Sequence, residues 1–237
     1  MIFLLDNNPD APFPEVSLAE REPNGLLAVG GDLSSKRIIH AYLRGIFPWF
    51  SEGEPILWWS PDPRTVLYPE QIRISRSLRK TLKKRGFQVS FDRDFSSVIQ
   101  ACAEPRGEST GTWLLPEMIT AYHQQHELGL AHSVEVWQDG ELAGGLYGMA
   151  LGGVFFGESM FSRVTDSSKI ALIHLSRCLT AWDYKMIDCQ VYTKHIASLG
   201  AVEIPRQIYC RDLDQWTRLA GRPGKWSDIP MNYPSAE

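Results

Sequence analysis

Three groups of residues have the types and spacing to do chemistry. In GVFFGESMF, residues 153–161, a single carboxylate, Glu158, stands among Phe155, Phe156, Met160 and Phe161. An ionised carboxylate left unpaired in apolar surroundings is costly, so an internal cation, water or a cationic ligand must meet it. Arg163 is the internal candidate. In KMIDCQVY, Asp188 and Gln190 lie two apart, so on a strand a carboxylate and an amide share one face. Such a pair can serve proton transfer, or the aspartate can simply cap a nearby loop. The third group is RISRSLRKTLKKR, residues 73–85, with seven basic residues and no acidic one. It is either a solvated helix face or a grip for an anionic partner.

The chain around these groups has 237 residues, 43% hydrophobic and 22% charged, which is enough for one large domain or two small ones. A net charge of −4 excludes a globally basic nucleic-acid binder. No apolar run reaches membrane-spanning length, and the opening MIFLLDNNPDAPFP lacks the basic start and longer apolar core of a signal peptide. A soluble cytoplasmic protein is expected. Cys102, Cys178, Cys189 and Cys210 show no CxxC spacing, so reduced thiols are expected rather than disulfides or zinc. His123 and His126 in HQQHE depart from the HExxH order and read as part of a surface helix; no metal site is expected.

The positioning elements fall into two parts. The first sixty residues are rich in Pro and Gly and show one helical stretch, SSKRIIHAYLRG, capped by Ser34 or Ser35 and stopped at Gly45. Phe47, Trp49, Phe50, Trp58 and Trp59 crowd the end of this part, and SPDPR, residues 60–64, reads as a boundary. Beyond it, the basic run is a helix with Leu78 and Leu82 inward and Arg76, Lys80 and Lys83 on another face. Gly86 closes it and FQVSF alternates as a strand. Helices follow near 94–103 and 116–128. HSVEVWQ, ELAGGLYGMAL and VFFGESMFS then form an antiparallel meander joined at Asp139-Gly140 and Gly152-Gly153. A bulge at Gly157 would bring Phe155, Glu158 and Met160 to one side of the last strand. A well-capped helix, TDSSKIALIHLSRCLTAW, leads to the short strand KMIDCQVY and a short helix, TKHIASLG.

Meander, helix, strand, helix, strand is the order of the GNAT acetyltransferases, which cradle coenzyme A with a Gly-rich loop before the helix. Here that junction is FSRVTDSSK, without the glycines that bring backbone amides close to phosphates. An acyl donor other than coenzyme A is expected. PNGLLAVGGDLS, HAYLRGIFPWF, ILWWSPDPR, GTWLLPEMITAY, GESMFSR and MIDCQVYTKHIASLGAVEIPR together resemble the leucyl/phenylalanyl-tRNA–protein transferase family, over about residues 12–212. The resemblance implies an α+β fold: a small N-terminal domain, residues 1–62, and a GNAT-like catalytic domain, residues 63–237, with a mixed, mainly antiparallel sheet flanked by helices. It implies transfer of Leu or Phe, with Met as a further candidate, from aminoacyl-tRNA to the N-terminal Arg or Lys of acceptor proteins, which marks them for degradation. No cofactor, no membrane partner and a monomer are expected. A tRNA-binding module without catalysis is the competing reading.

Residue by residue, the resemblance implies that Asp188 and Gln190 are the catalytic pair and that Glu158 faces the acceptor's N-terminal side chain. Leu146, Phe155, Met160, Leu172, Leu175 and Ile187 would form the aminoacyl pocket, although alternation sets Ile187 opposite Asp188 unless the sheet splays there. A large unbranched pocket takes Leu and Phe, whereas Val and Ile crowd at Cβ. Trp49 and Trp113 would stack on the terminal adenosine, with Tyr42 and Tyr122 at the same entrance. Without the resemblance, Trp49 in FPWF reads as core of the small domain. Arg76, Arg79, Lys80, Lys83, Lys84 and Arg85 would grip acceptor-stem phosphates, which position without reading sequence.

Overall fold

The computed structural model describes residues 2–83, 86–105 and 114–228. Its strands form two sheets. The first holds β1 (Phe3–Leu5), β2 (Leu26–Gly30), β3 (Phe47–Pro48) and β4 (Leu57–Trp59) in the order β1-β2-β4-β3. These strands, two to five residues long, are too short for alternation to reveal them, and only the helix between them was expected. That helix, α1 (Ser35–Leu43), has Ser34 at its N-cap, whose hydroxyl accepts from Arg37 N–H. Gly45 follows with φ +74°, and a Cβ there would meet the Tyr209 ring at 2.7 Å. Only glycine fits both the conformation and the approach.

The second sheet has seven strands: β5 (Arg64–Leu67), β6 (Phe87–Phe91), β7 (Ala131–Gln138), β8 (Glu141–Leu151), β9 (Val154–Ser162), β10 (Met186–Gln190) and β11 (Val202–Ile204). Their order is β11-β5-β10-β9-β8-β7-β6, with only β9 and β10 parallel. The sheet is therefore mixed and mainly antiparallel, and the fold is α+β. The meander strands β7, β8 and β9 follow the three stretches that the two expected turns delimit. Asp139 (φ 52°) and Gly140 (φ 85°) make the two-residue turn that suits the strand twist. Not foreseen is β5, which starts at the last residue of SPDPR and runs fully buried between β10 and β11.

Helices cover both faces. Leu78 of α2 (Arg76–Lys83) packs with α5 (Ser167–Ala181), Leu199 after α6 (Lys194–Ser198) and Trp226 against Leu146, Phe155 and Ile187. On the opposite face, α3 (Phe95–Ala103), α4 (Pro116–Glu127) and α7 (Arg206–Trp216) pack against Tyr147, Met149 and Phe156. Ile38, Tyr42, Phe47 and Phe50 join this second cluster, while Phe13, Leu27, Ala28, Ala41, Ile46 and Trp58 form a separate cluster within the N-terminal part. The expected cap of α5 differs: Asp166 makes no capping bond, and Ser168 N–H donates instead to Ser162 Oγ at 3.1 Å, on the strand before. Asp166 adopts φ +69° and pairs with Lys169, which turns its carboxylate away from the helix amides.

Candidate active site

Strands β9 and β10 pair in register only as far as Phe156 and Asp188, and beyond that point they part. A cavity of about 750 Å³ opens there, lined by Leu146, Phe155, Met160, Leu172, Leu175 and Ile187. The six residues expected around an apolar side chain are thus gathered from β8, β9, α5 and β10. The splay also resolves the position of Ile187. It lines the cavity on the α5 face, while Asp188 points to the opposite face, as alternation requires.

The expected bulge is present. Tyr147 pairs with Ser159 and Gly148 with Gly157, leaving Glu158 as the extra residue. Its steric demand falls on Gly148 across the ladder, where a Cβ would lie 2.1 Å from the Phe156 carbonyl oxygen. The bulge puts Phe155 and Met160 in the core cluster under α5, yet the Glu158 carboxylate goes the other way. It accepts from Tyr42 Oη at 2.7 Å and Tyr122 Oη at 2.6 Å, two residues of the opposite core, while still bordering the cavity. The two hydroxyls also lie 2.7 Å from each other. The internal partner considered for Glu158 is engaged elsewhere: Arg163 pairs with Glu104 at 2.6 Å. Burial pushes the Glu158 carboxyl up to about 7, against the opposing hydrogen bonds from Tyr122 and Tyr42.

Asp188 and Gln190 do not share a face. The β5–β10 register is irregular between them, and Gln190 takes φ +56°, so the alternation breaks and Gln190 borders the cavity. Asp188 is fully buried on the other side. Its Oδ1 accepts from Arg64 Nε at 2.8 Å and Gln190 N–H at 3.0 Å, and its Oδ2 from Arg64 Nη2 at 2.7 Å and Tyr209 Oη at 2.9 Å. The Arg64 guanidinium stacks between Phe47, 4.8 Å to the centroid, and Tyr209, 4.6 Å. Arg64 and Tyr209 were missed because Arg64 sits at the end of a proline-rich boundary and Tyr209 on an ordinary amphipathic helix.

Trp49 is 46% exposed and tilts against Trp59 at 5.8 Å, so it is not core of the small domain. Arg76, Arg79, Lys80 and Lys83 are exposed on α2, away from the buried Leu78. Trp113, Lys84 and Arg85 lie outside the described residues. Among the described residues no group of three or more His, Cys, Asp or Glu is placed to hold a metal, and no helix is long and apolar enough to cross a membrane.

Known proteins add to this geometry. Residues 66–214 match the leucyl/phenylalanyl-tRNA protein transferase family, and residues 31–62 match its N-terminal domain. A leucyl/phenylalanyl-tRNA–protein transferase of Nitrosomonas europaea is 59% identical over 225 residues, 95% of each chain. One of Methylococcus capsulatus is 56% identical over 234 residues, 98% of this chain and all of the other. A GCN5-related N-acetyltransferase from Kribbella flavida superposes with a TM-score of 0.37 at 12% identity, over 67% of this chain and 56% of that one. The family matches make the chain an enzyme of the aminoacyltransferase class. The chain belongs to the leucyl/phenylalanyl-tRNA–protein transferase family.

Proposed function

We propose that this protein moves leucine or phenylalanine, and also methionine, from aminoacyl-tRNA to the N-terminal Arg or Lys of acceptor proteins, marking them for degradation. The observation that carries this reading is the cavity between β9 and β10, apolar within and bordered by Glu158 and Gln190. The aminoacyl side chain occupies the apolar part. Apolar pockets discriminate by only about 1–3 kcal/mol per methylene, so several unbranched side chains are accepted.

In the reaction the acceptor's α-amino nitrogen attacks the ester carbonyl carbon. A nitrogen–carbon bond forms, the bond to the ribose oxygen breaks, and the amine's proton ends on the departing ribose hydroxyl. The ester is already activated, so the chemistry calls for no cofactor. The α-amine has a reference pKa of about 7.7–8.0, so a useful share is neutral near pH 7. The site's task is then mainly orientation, worth up to about 7–11 kcal/mol in well-aligned systems. Gln190 holds the amine or the carbonyl from the cavity edge. Asp188 serves as an orienting anchor for Gln190. Glu158, with two tyrosine hydroxyls, receives the cationic side chain of the acceptor's first residue.

Trp49 offers an exposed face for the terminal adenosine, with Trp113 in the same role, and the α2 cations meet the acceptor-stem phosphates. The enzyme acts as a cytoplasmic monomer. The test is direct: purified protein, leucyl-tRNA and a peptide beginning with Arg should yield the peptide heavier by one leucine. An unchanged peptide mass, with intact leucyl-tRNA binding, would leave a tRNA-binding module instead.

A further inference from the structure

We propose that Arg64 is a positioning residue of the transfer reaction, aiming Gln190 into the cavity through the Asp188 carboxylate. The inference rests on the transferase reading above. Asp188 receives four hydrogen bonds, two from Arg64 and one each from Tyr209 and the Gln190 backbone. A carboxylate offers about four lone-pair sites, so none is left for the proton of a substrate amine. Asp188 is also fully buried and does not border the cavity, whereas Gln190 does. The carboxylate therefore acts on the reaction through Gln190, and Arg64 governs how the carboxylate is held.

The chain of contacts is continuous. The Gln190 backbone is left-handed, at φ +56°, a region that residues with a Cβ enter only when their surroundings hold them there. Its N–H is tied to Asp188 Oδ1, the same oxygen that Arg64 Nε engages. Arg64 is itself over-determined: 1% exposed, paired through both Nε and Nη2, bonded to the Gly45 carbonyl through Nη1, and flanked by the rings of Phe47 and Tyr209. The planar fork fixes the carboxylate's rotation as well as its charge, which a lysine ammonium cannot do. Through Gly45 the same guanidinium ties the end of α1, which carries Tyr42, to the catalytic strand.

The test uses full-length Arg64→Lys, assayed for leucine transfer to an Arg-initiated peptide. The expected result is a kcat lower by about 10- to 100-fold, because small misplacements of a positioned group cost rates of this order. KM for tRNA and for peptide should stay within about twofold, since Arg64 is buried and does not line the cavity. Tyr209→Phe keeps the ring and removes one donor to the same carboxylate, so it should lower kcat several-fold with KM again unchanged. In the double variant the losses should fall short of multiplying, as for two supports of one group. A folded Arg64→Lys enzyme with the parental kcat overturns the proposal, as do losses that multiply fully. Should Arg64→Lys not fold, Tyr209→Phe decides: an unchanged kcat overturns the proposal, and a lowered kcat at constant KM supports it. A wild-type protein that transfers no leucine defeats the transferase reading, and the proposal with it.

Discussion

Tyr122 on α4 donates its hydroxyl proton to Glu158 on β9 across 2.6 Å, and Tyr42 on α1 closes a triangle by approaching both. Three oxygen–oxygen contacts need three protons, and two hydroxyls supply two when Glu158 is ionised. A proton on Glu158 completes the triangle. A bound cation would act differently, balancing the charge of an ionised Glu158 from outside the triangle.

Glu158 should therefore make stability depend on pH. The folded state holds its proton up to about pH 7, while the ordinary glutamate value of 4.5 describes the unfolded chain. Folding takes up a proton between these values, so this group's contribution to stability falls as pH rises across the window and is lowest above about 7. In Glu158→Gln that dependence disappears. The Tm of the variant relative to the parent should rise from pH 5 to pH 8, roughly spanning the titration. A relative Tm that does not change with pH counts against the assignment.

The same substitution should change acceptor choice. Glu158→Gln keeps the shape and removes the charge, at a cost of about 1–3 kcal/mol in the interaction with an Arg or Lys side chain. KM for a peptide beginning with Arg should rise, and discrimination against one beginning with Gln should shrink. Because Arg163 pairs with Glu104, the variant breaks no structural bridge to Glu158. Steady-state kinetics on the two peptides measures this, and an unchanged ratio removes Glu158 from the acceptor site.

Asp188→Ala should act first on stability. It strands the Arg64 guanidinium, 1% exposed, with no carboxylate. Removing one partner of a buried ion pair costs about 3–5 kcal/mol. Denaturant unfolding should show that loss, whereas Asp188→Asn, which keeps the shape and an acceptor oxygen, should lose less. In whatever fraction folds, turnover should fall far more than tRNA affinity. Equal losses in binding and transfer would mean that the buried carboxylate supports the tRNA site rather than the transfer step.

On α2, replacing Arg76, Lys80 and Lys83 with Ala should weaken tRNA binding while leaving the fold, since all three are exposed. The log–log salt dependence of binding should flatten by roughly 0.7–0.9 for each phosphate that the variant no longer neutralises. A slope identical to the parent's would return this face to ordinary solvation.

Much of the site could be read from local pattern. The meander strands, the Asp139-Gly140 turn, the α1 cap at Ser34 and the bulge beside Gly157 all depend on residues within a few positions of one another. Period-two alternation and capping chemistry are short-range, so they appear in any window that contains them. The six cavity residues and the exposed cations of α2 follow from the family motifs and the helical period.

Tertiary structure decided the electrostatics. Arg64 and Asp188 are 124 positions apart, and Tyr42 and Glu158 are 116 apart. Their meetings depend on β5 entering the sheet between β10 and β11 and on α1 docking against the core over Phe156. No short window carries that order. Nor could alternation foresee that Gln190 would turn to φ +56° and leave the face of Asp188, since that turn is held by a hydrogen bond to a carboxylate whose own direction is set from β5. The sequence by itself determined that the six residues of the cavity are apolar and belong to the core, because burial and periodicity are properties of a segment; that they line a cavity was implied only by the family resemblance. Which carboxylate is locked in an ion pair and which meets two tyrosines at the cavity edge was settled only when distant strands came together, because Coulomb and hydrogen-bond partners are chosen by distance in space.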